Sequence, residues 1–485
     1  MERMLDRGGR RRIGVLAAVA AATVALLAAS GSAAVPTIHP ATATDAPAAT
    51  SHPPATPADW PTYDRTGDRD GASATTPVFT STSKVVKGWG GRVDGDVYTQ
   101  PLVIGHDVIV ATENDSVYAF DSASGRQVWK HHLAAPVTGG LACAGDIDPS
   151  GITGTPVADV ETNRLYVVTF TSTPRYEHVL WTLDLTTGRT VAHRDVDGPA
   201  TAAHPAADPT AEQQRGALAL YDHRVYIPYG GLDGDCGDYH GWVVGAPTSG
   251  GGALVSYVTP TEREAGIWSP PGPAVGHRSL YVATGNGTPT NAVDNSDSVV
   301  RLGPGLGVEG TFTPTNFEYL SANDKDLGTT SPVLLPDDMV FMIGKEGVAY
   351  IVGAYNLDRV GGQRAQLDVC SGGFGGDAAS GSTVVVSCFD GLYAVHVTPP
   401  SGTAKPKLRV VWSATGIAPG PPIIAGGVVW DTTRGNQLLG YRLGTGQQVY
   451  STSIGGVVTS FPSLSASGGR LFVPQGDEVV SYRGV

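Results

Sequence analysis

Cysteine and methionine are scarce in this 485-residue chain, with four of each. No two cysteines are adjacent and no Cys-x-x-Cys pair occurs, so the spaced thiolate pairs of a zinc knuckle are excluded. Positive charge is also thin. Lys and Arg together number 32 against 45 Asp and Glu, a net charge of −13. Nucleic-acid binding relies on clustered positive charge, and this balance argues against it. Neither Gly-x-Ser-x-Gly nor His-Glu-x-x-His is present, so no hydrolase or protease chemistry is assigned. Between Trp60 and Val485 there is no long helical stripe and no apolar run long enough to cross a bilayer.

What is present begins with a basic N-terminus. Residues 1–12 carry five Arg against two acids, so the rest of the chain stands at −16. An apolar run from Ile13 to Ala29 follows, and then small residues from Ser30 to Ala34. A basic stretch, an apolar core and a small-residue site read as a secretory signal peptide over 1–34. The absence of a Cys after the run excludes a lipoprotein anchor, and the expected location is secreted or cell-envelope, with no transmembrane segment after cleavage. Whether export is Sec or twin-arginine stays open, as does whether the segment is cleaved or kept as a membrane anchor. Residues 35–59 are mostly Pro, Ala and Thr, with too little apolar surface to offset chain entropy, and read as a disordered tether.

The 65 Gly and 35 Pro are spread along the chain, as turns between many short strands require. One repeat unit is plain. Thr99-Gln100-Pro101 leads into Leu102-Val-Ile, then Val108-Ile-Val-Ala, then Ser116-Val-Tyr-Ala-Phe120, then Gln127-Val-Trp129. Turn residues separate these four runs. Bulky and small residues alternate in the third run, as in a half-buried strand. Related starts recur near Pro156, Ala217, Pro273, Pro332, Gly376, Pro422 and Pro462. That makes eight units, roughly 40 to 60 residues apart, the spacing of propeller blades. The last unit ends after its third strand, while Lys84-Val-Val-Lys-Gly-Trp89 stands before the first as an orphan fourth strand. Pairing the two closes a ring and removes open sheet edges. The fold class is therefore all-β, an eight-bladed propeller over 60–485 closed by a strand near 84–89. A count of seven stays open if the unit near Gly375 is misread.

The run Ser116-Val-Tyr-Ala-Phe-Asp121 with Ser124-Gly125-Arg-Gln-Val-Trp129 resembles the pyrroloquinoline-quinone (PQQ) repeat, and Thr445-Gly446 with Tyr450 is similar. The resemblance covers most of 60–485. It implies the fold shared by quinoprotein alcohol dehydrogenases, outer-membrane assembly propellers and many secreted propellers. In the dehydrogenases, the resemblance implies PQQ and Ca²⁺ on the axis, with an acidic ligand, an Asn ligand after a Thr-Gly turn and an Asp base. Thr284-Gly285-Asn286 matches the Asn turn, Asp324 or Asp326 the base, and Asp235 or Asp238 the acidic ligand. The family's vicinal cysteine pair is missing, and its Trp-rich cofactor floor is not evident. The sequence therefore points first to a non-catalytic secreted bacterial member of the family, with PQQ and Ca²⁺ as the alternative and envelope assembly as a third.

Cys143, Cys236, Cys370 and Cys388 form an even set in an exported chain, which favours disulfides. Cys370–Cys388 is the preferred pair, leaving Cys143–Cys236. The most polar stretch is Gly230–Trp242, where Asp233, Asp235, Asp238 and His240 fall close together. With Arg215, whose guanidinium suits carboxylates or phosphates, these are the candidate ligand-binding residues. Loops at 134–150, 200–215, 231–240 and 286–297 form the expected recognition face for a ligand or envelope protein.

Overall fold

The computed structural model describes Thr56 and residues 59–73, 85–141, 147–457 and 461–484. The expected signal peptide, most of the tether, Lys84 and Cys143 lie outside the described residues. Just before the propeller, the buried carboxylate of Asp59 accepts the backbone N–H groups of Thr56 and Gly105.

Eight antiparallel sheets make an eight-bladed propeller. Seven blades are continuous in sequence and span 102–132, 157–195, 219–258, 274–313, 333–368, 373–415 and 423–453. The eighth takes Ser465–Ser467, Arg470–Pro474 and Glu478–Gly484 from the C-terminal side, and Val85–Arg92 as its fourth strand. Closure thus occurs at the expected place. The unit near Gly375 is a full four-stranded blade, which settles the count at eight.

First strands such as Leu102–Ile104, Val333–Leu335 and Ile423–Ala425 are short and buried, whereas fourth strands such as Thr190–Asp195 are largely exposed, so the chain runs from the axis outward in each blade. The third strand of blade 1 departs from the half-buried expectation. Residues 116–120 are all buried, because the blade is sandwiched between two others. Tyr118 and Phe120 pack with Phe472 and Val480 of blade 8, and Val117 and Ala119 with Leu165 and Leu183 of blade 2. The alternation of large and small side chains sorts them between two neighbours, not between core and solvent.

Neighbouring blades also lock through a recurring contact. In the turn between third and fourth strands of blade 2, Gly188 has φ +70°, and a Cβ there would lie 2.4 Å from the Trp129 ring of blade 1. Gly125 meets Trp89 of blade 8 in the same way, and Gly446 meets Trp412 of blade 6. The Trp89 and Trp412 indoles add hydrogen bonds to the Ser122 and Leu443 carbonyls.

The first-strand edges face the axis, where no further blade strand can pair with them. Residues 60–71 meet them instead. Trp60 exchanges backbone hydrogen bonds with Val103 of blade 1, and the Pro61 carbonyl accepts from Ala158 of blade 2. The carbonyls of Gly67, Asp68, Asp70 and Gly71 accept from Val275, Leu334, Ala379 and Ile424, one in each of blades 4 to 7. The Arg69 guanidinium, 1% exposed, donates to the carbonyls of Leu218 and Pro273 at blades 3 and 4. Gln100 bridges the Asp64 N–H to Ser463 and Leu464 beside blade 8.

Two variants test these locks. Gly188→Ala forces a Cβ into the indole at positive φ and is expected to cost about 2–4 kcal/mol in urea unfolding. Arg69→Ala leaves buried carbonyls unpaired and is expected to cost about 3–5 kcal/mol, read in the same assay.

Candidate functional site

A cavity of about 320 Å³ opens at the face that carries the hairpins between second and third strands. Each wall comes from a different blade. The blade 3 hairpin after Arg224–Gly231 supplies Asp233, Asp235 and Tyr239. The blade 4 hairpin after Ser279–Ala283 supplies Asn286. The segment after the short helix Phe317–Ala322 supplies Asp324 and Asp326, and the blade 5 hairpin supplies Lys345. Trp268, Arg215, Phe374 and Phe461 complete the lining.

Glycine sets the blade 4 turn. A Cβ on Gly285 would sit 2.4 Å from the Asp326 carboxylate. Its absence lets that carboxylate accept the Asn286 backbone N–H at 2.7 Å. A two-stranded ribbon, Arg263–Glu264 with Gly287–Thr288, holds the far side of the same turn. The Asn286 side-chain oxygen is buried and has no hydrogen-bond partner among the described residues.

Lys345 Nζ lies 2.5 Å from a carboxylate oxygen of Asp326 and 2.5 Å from one of Asp324. Burial raises the Asp326 pKa, with Lys345 opposing it. Burial works against the Lys345 ammonium, but Asp326 and Asp324 hold its pKa above the ordinary value. Asp324 is on the exposed rim and Asp326 is 6% exposed, so the second carboxylate and the ammonium form a largely desolvated pair. Behind them, Asp297 accepts Ser321 Oγ and the Leu327 N–H, and burial followed by repulsion from Asp326 pushes its pKa up to about 7.

Arg215 is oriented by two donations to Gln213 Oε1. Its guanidinium carbon stands 4.8 Å from the Phe461 ring centre and 5.7 Å from that of Trp268, with Lys345 Nζ 5.8 Å from Trp268. Trp268 and Phe461 both neighbour Phe374. Asp235 accepts the Tyr239 hydroxyl at 2.6 Å, beside Cys236, which is disulfide-bonded.

Of the residues singled out in the sequence, Arg215, Asp233, Asp235, Asn286, Asp324 and Asp326 meet at this cavity. Asp238 and His240 lie off it. The His240 backbone donates to Glu212, and its ring stands edge-on to His204. Cys370 and Cys388 form a disulfide. Trp268, Lys345, Phe374 and Phe461 were not anticipated. Lys345 had one signal, its place in the same hairpin of blade 5 that carries Asp235 in blade 3 and Asn286 in blade 4.

The lining suits a flat, polar organic molecule better than a bare metal ion. Among the described residues, three ligand atoms of His, Cys, Asp or Glu come within 4.8 Å of one another only at Cys370, Cys388 and Asp390, where both sulfurs are bonded to each other. Asp326, the best-placed carboxylate for a cation beside Asn286, is already bound to Lys345. Among the described residues, no three acidic side chains of this cavity therefore converge on one point.

A family model described as outer membrane protein assembly factor BamB matches residues 80–145 and 103–298. No curated protein sequence matches the chain. Among solved structures, the quinohemoprotein alcohol dehydrogenase from Comamonas testosteroni superposes with a TM-score of 0.63 at 15% identity, over 88% of this chain and 80% of that one. A europium-containing methanol dehydrogenase gives 0.66 at 12% identity, over 88% and 98%. BamB from Moraxella catarrhalis gives 0.54 at 13% identity, over 82% and 98%. At these identities the likeness is one of fold.

The raised Asp297 pKa has a stability consequence. The folded protein holds this proton to about pH 7, whereas an unfolded chain loses it near pH 4. Its contribution is therefore complete below pH 4 and lost as pH rises through 7. Asp297→Asn is expected to gain on the wild type by on the order of 2 kcal/mol between pH 5 and pH 8. Thermal melts at the two pH values check this.

Proposed function

Because the chain is an eight-bladed propeller of pyrroloquinoline-quinone-like repeats, with quinoprotein dehydrogenases and a BamB assembly factor as its relatives in fold, we propose that it is an exported binding protein whose face cavity takes a small, flat, polar ligand. The observation that carries this reading is the buried, unpartnered oxygen of Asn286, set in a cavity bordered by Trp268 and the Lys345–Asp326 pair. A buried amide oxygen without a partner costs about 1–3 kcal/mol, which a ligand donor would recover. Trp268, Phe374 and Phe461 offer a ring-bearing ligand apolar surface, and Arg215 and Lys345 offer donors for carbonyl or carboxylate groups. Export is supported by the N-terminal pattern and by the Cys370–Cys388 disulfide.

A second reading, a quinone-dependent oxidoreductase, uses the same cavity. Trp268, Arg215 and Lys345 suit a flat ring carrying carboxylates, and Asn286 and Asp326 stand together as that reading asks. The capture of Asp326 by Lys345, and the missing third acidic side chain beside it among the described residues, weigh against it, so binding without catalysis is the reading favoured.

Pyrroloquinoline quinone itself is the probe that separates the two. Titration with and without Ca²⁺ is followed by quenching of tryptophan fluorescence, and alcohol-dependent dye reduction is then assayed. Quenching that is independent of Ca²⁺, lost about tenfold or more in Trp268→Ala, and without dye reduction is the expected outcome. Ca²⁺-dependent binding with dye reduction would replace the binding reading by the enzyme. No quenching at all would remove this ligand class.

A further inference from the structure

A second cavity, of about 350 Å³, lies on the same face at the seam where blade 8 closes against blade 1. Its lining includes Asp94, Asp96, Glu113, Asp148 and Asp477, together with Tyr98, and among the described residues contains no Lys, Arg or His. Two of these acids are engaged from outside. Asp94 is 2.9 Å from Lys130, and Asp477 is 3.4 Å from the exposed Arg92. Asp96, Glu113 and Asp148 have no ion-pair partner among the described residues.

Glu113 is the observation that points to a ligand. It is 2% exposed. One carboxylate oxygen accepts the Gly151 N–H at 2.7 Å and the Thr153 hydroxyl at 3.1 Å. The other is buried and has no hydrogen-bond partner among the described residues, and Glu113 lines the cavity. Leaving a buried carboxylate oxygen unsatisfied beside like charge is costly, and a bound donor of positive charge removes both penalties.

The spacing decides which cation. No three of these carboxylates bring oxygens within 4.8 Å of one another, so they do not close on a bare metal ion. An alkylammonium, with several N–H donors on a flexible chain, spans separated acceptors, and its methylenes can lie along Val93, Ile147, Pro149 and the Tyr98 ring. We propose that the seam cavity binds a primary alkylammonium group, supplied by a free polyamine or by a lysine side chain, through Glu113, Asp96 and Asp148. This site is separate from the Trp268 cavity and does not depend on the reading given there.

The test is calorimetric titration of the purified chain at low ionic strength with spermidine and with a tri-lysine peptide. Saturable binding of either supports the proposal, and the tighter of the two identifies the source. Asp96→Asn, on the exposed rim, is expected to weaken binding about fivefold. Glu113→Gln, which keeps the acceptor for Gly151, is expected to weaken it about tenfold or more. Circular dichroism checks that both variants fold. No saturable binding, binding unchanged in both folded variants, or displacement of spermidine by an equal concentration of Ca²⁺ would each overturn the assignment.

Discussion

A propeller has one set of backbone groups that its blades cannot satisfy among themselves, the inner edges that converge on the axis. Each unpaired N–H or carbonyl buried there carries a penalty of about 1–3 kcal/mol. Here the chain answers with residues 60–71, which take one or two bonds from blade after blade. Arg69 reaches blade 3, which takes no backbone bond from this segment, and adds a bond beside blade 4. The ring of blades and this axial segment therefore depend on each other, and the surface features rest on both.

The candidate site shows the dependence. A Cβ on Gly376 would approach the Tyr63 hydroxyl, Pro271 and Pro421, so the axial segment lies two residues along the first strand of blade 6 from Phe374. Phe374 in turn borders the cavity with Trp268 and Phe461. The aromatic wall is thus backed by packed chain. The polar wall comes from hairpins of blades 3 to 5, held by the Gly285 turn, the Asp297 carboxylate and the Lys345 ion pair. A variant that loosens the axis should be read for its effect on the cavity as well as on stability.

The blades were legible because they repeat, and a repeat displays its turns and apolar runs several times over. Closure by 85–92 was legible from a missing strand at one end and a spare one at the other. The axial segment was not. Its Asp64 and Arg69 belong to no repeat or motif, since only the assembled ring buries their surroundings. The site was half legible. Asn286, Asp326, Asp235 and Arg215 stand out by chemistry, but Trp268 and Lys345 are single residues whose meaning comes from hairpins brought together by the ring. The third strand of blade 1 was read with the right period and the wrong partner, because alternation alone does not distinguish water from a second blade.

The order of the axial contacts carries one more consequence. Trp60, Pro61, Gly67, Asp68, Asp70 and Gly71 meet blades 1, 2, 4, 5, 6 and 7 in that sequence. The segment travels round the axis in the same sense as the blades follow one another in the chain. It therefore works as a gauge. Its carbonyls are spaced to the strands of this ring, and a different number of blades would leave them out of step with the strands they accept from. Blade number in this protein is measured from within, by a dozen residues that are synthesised before any blade exists.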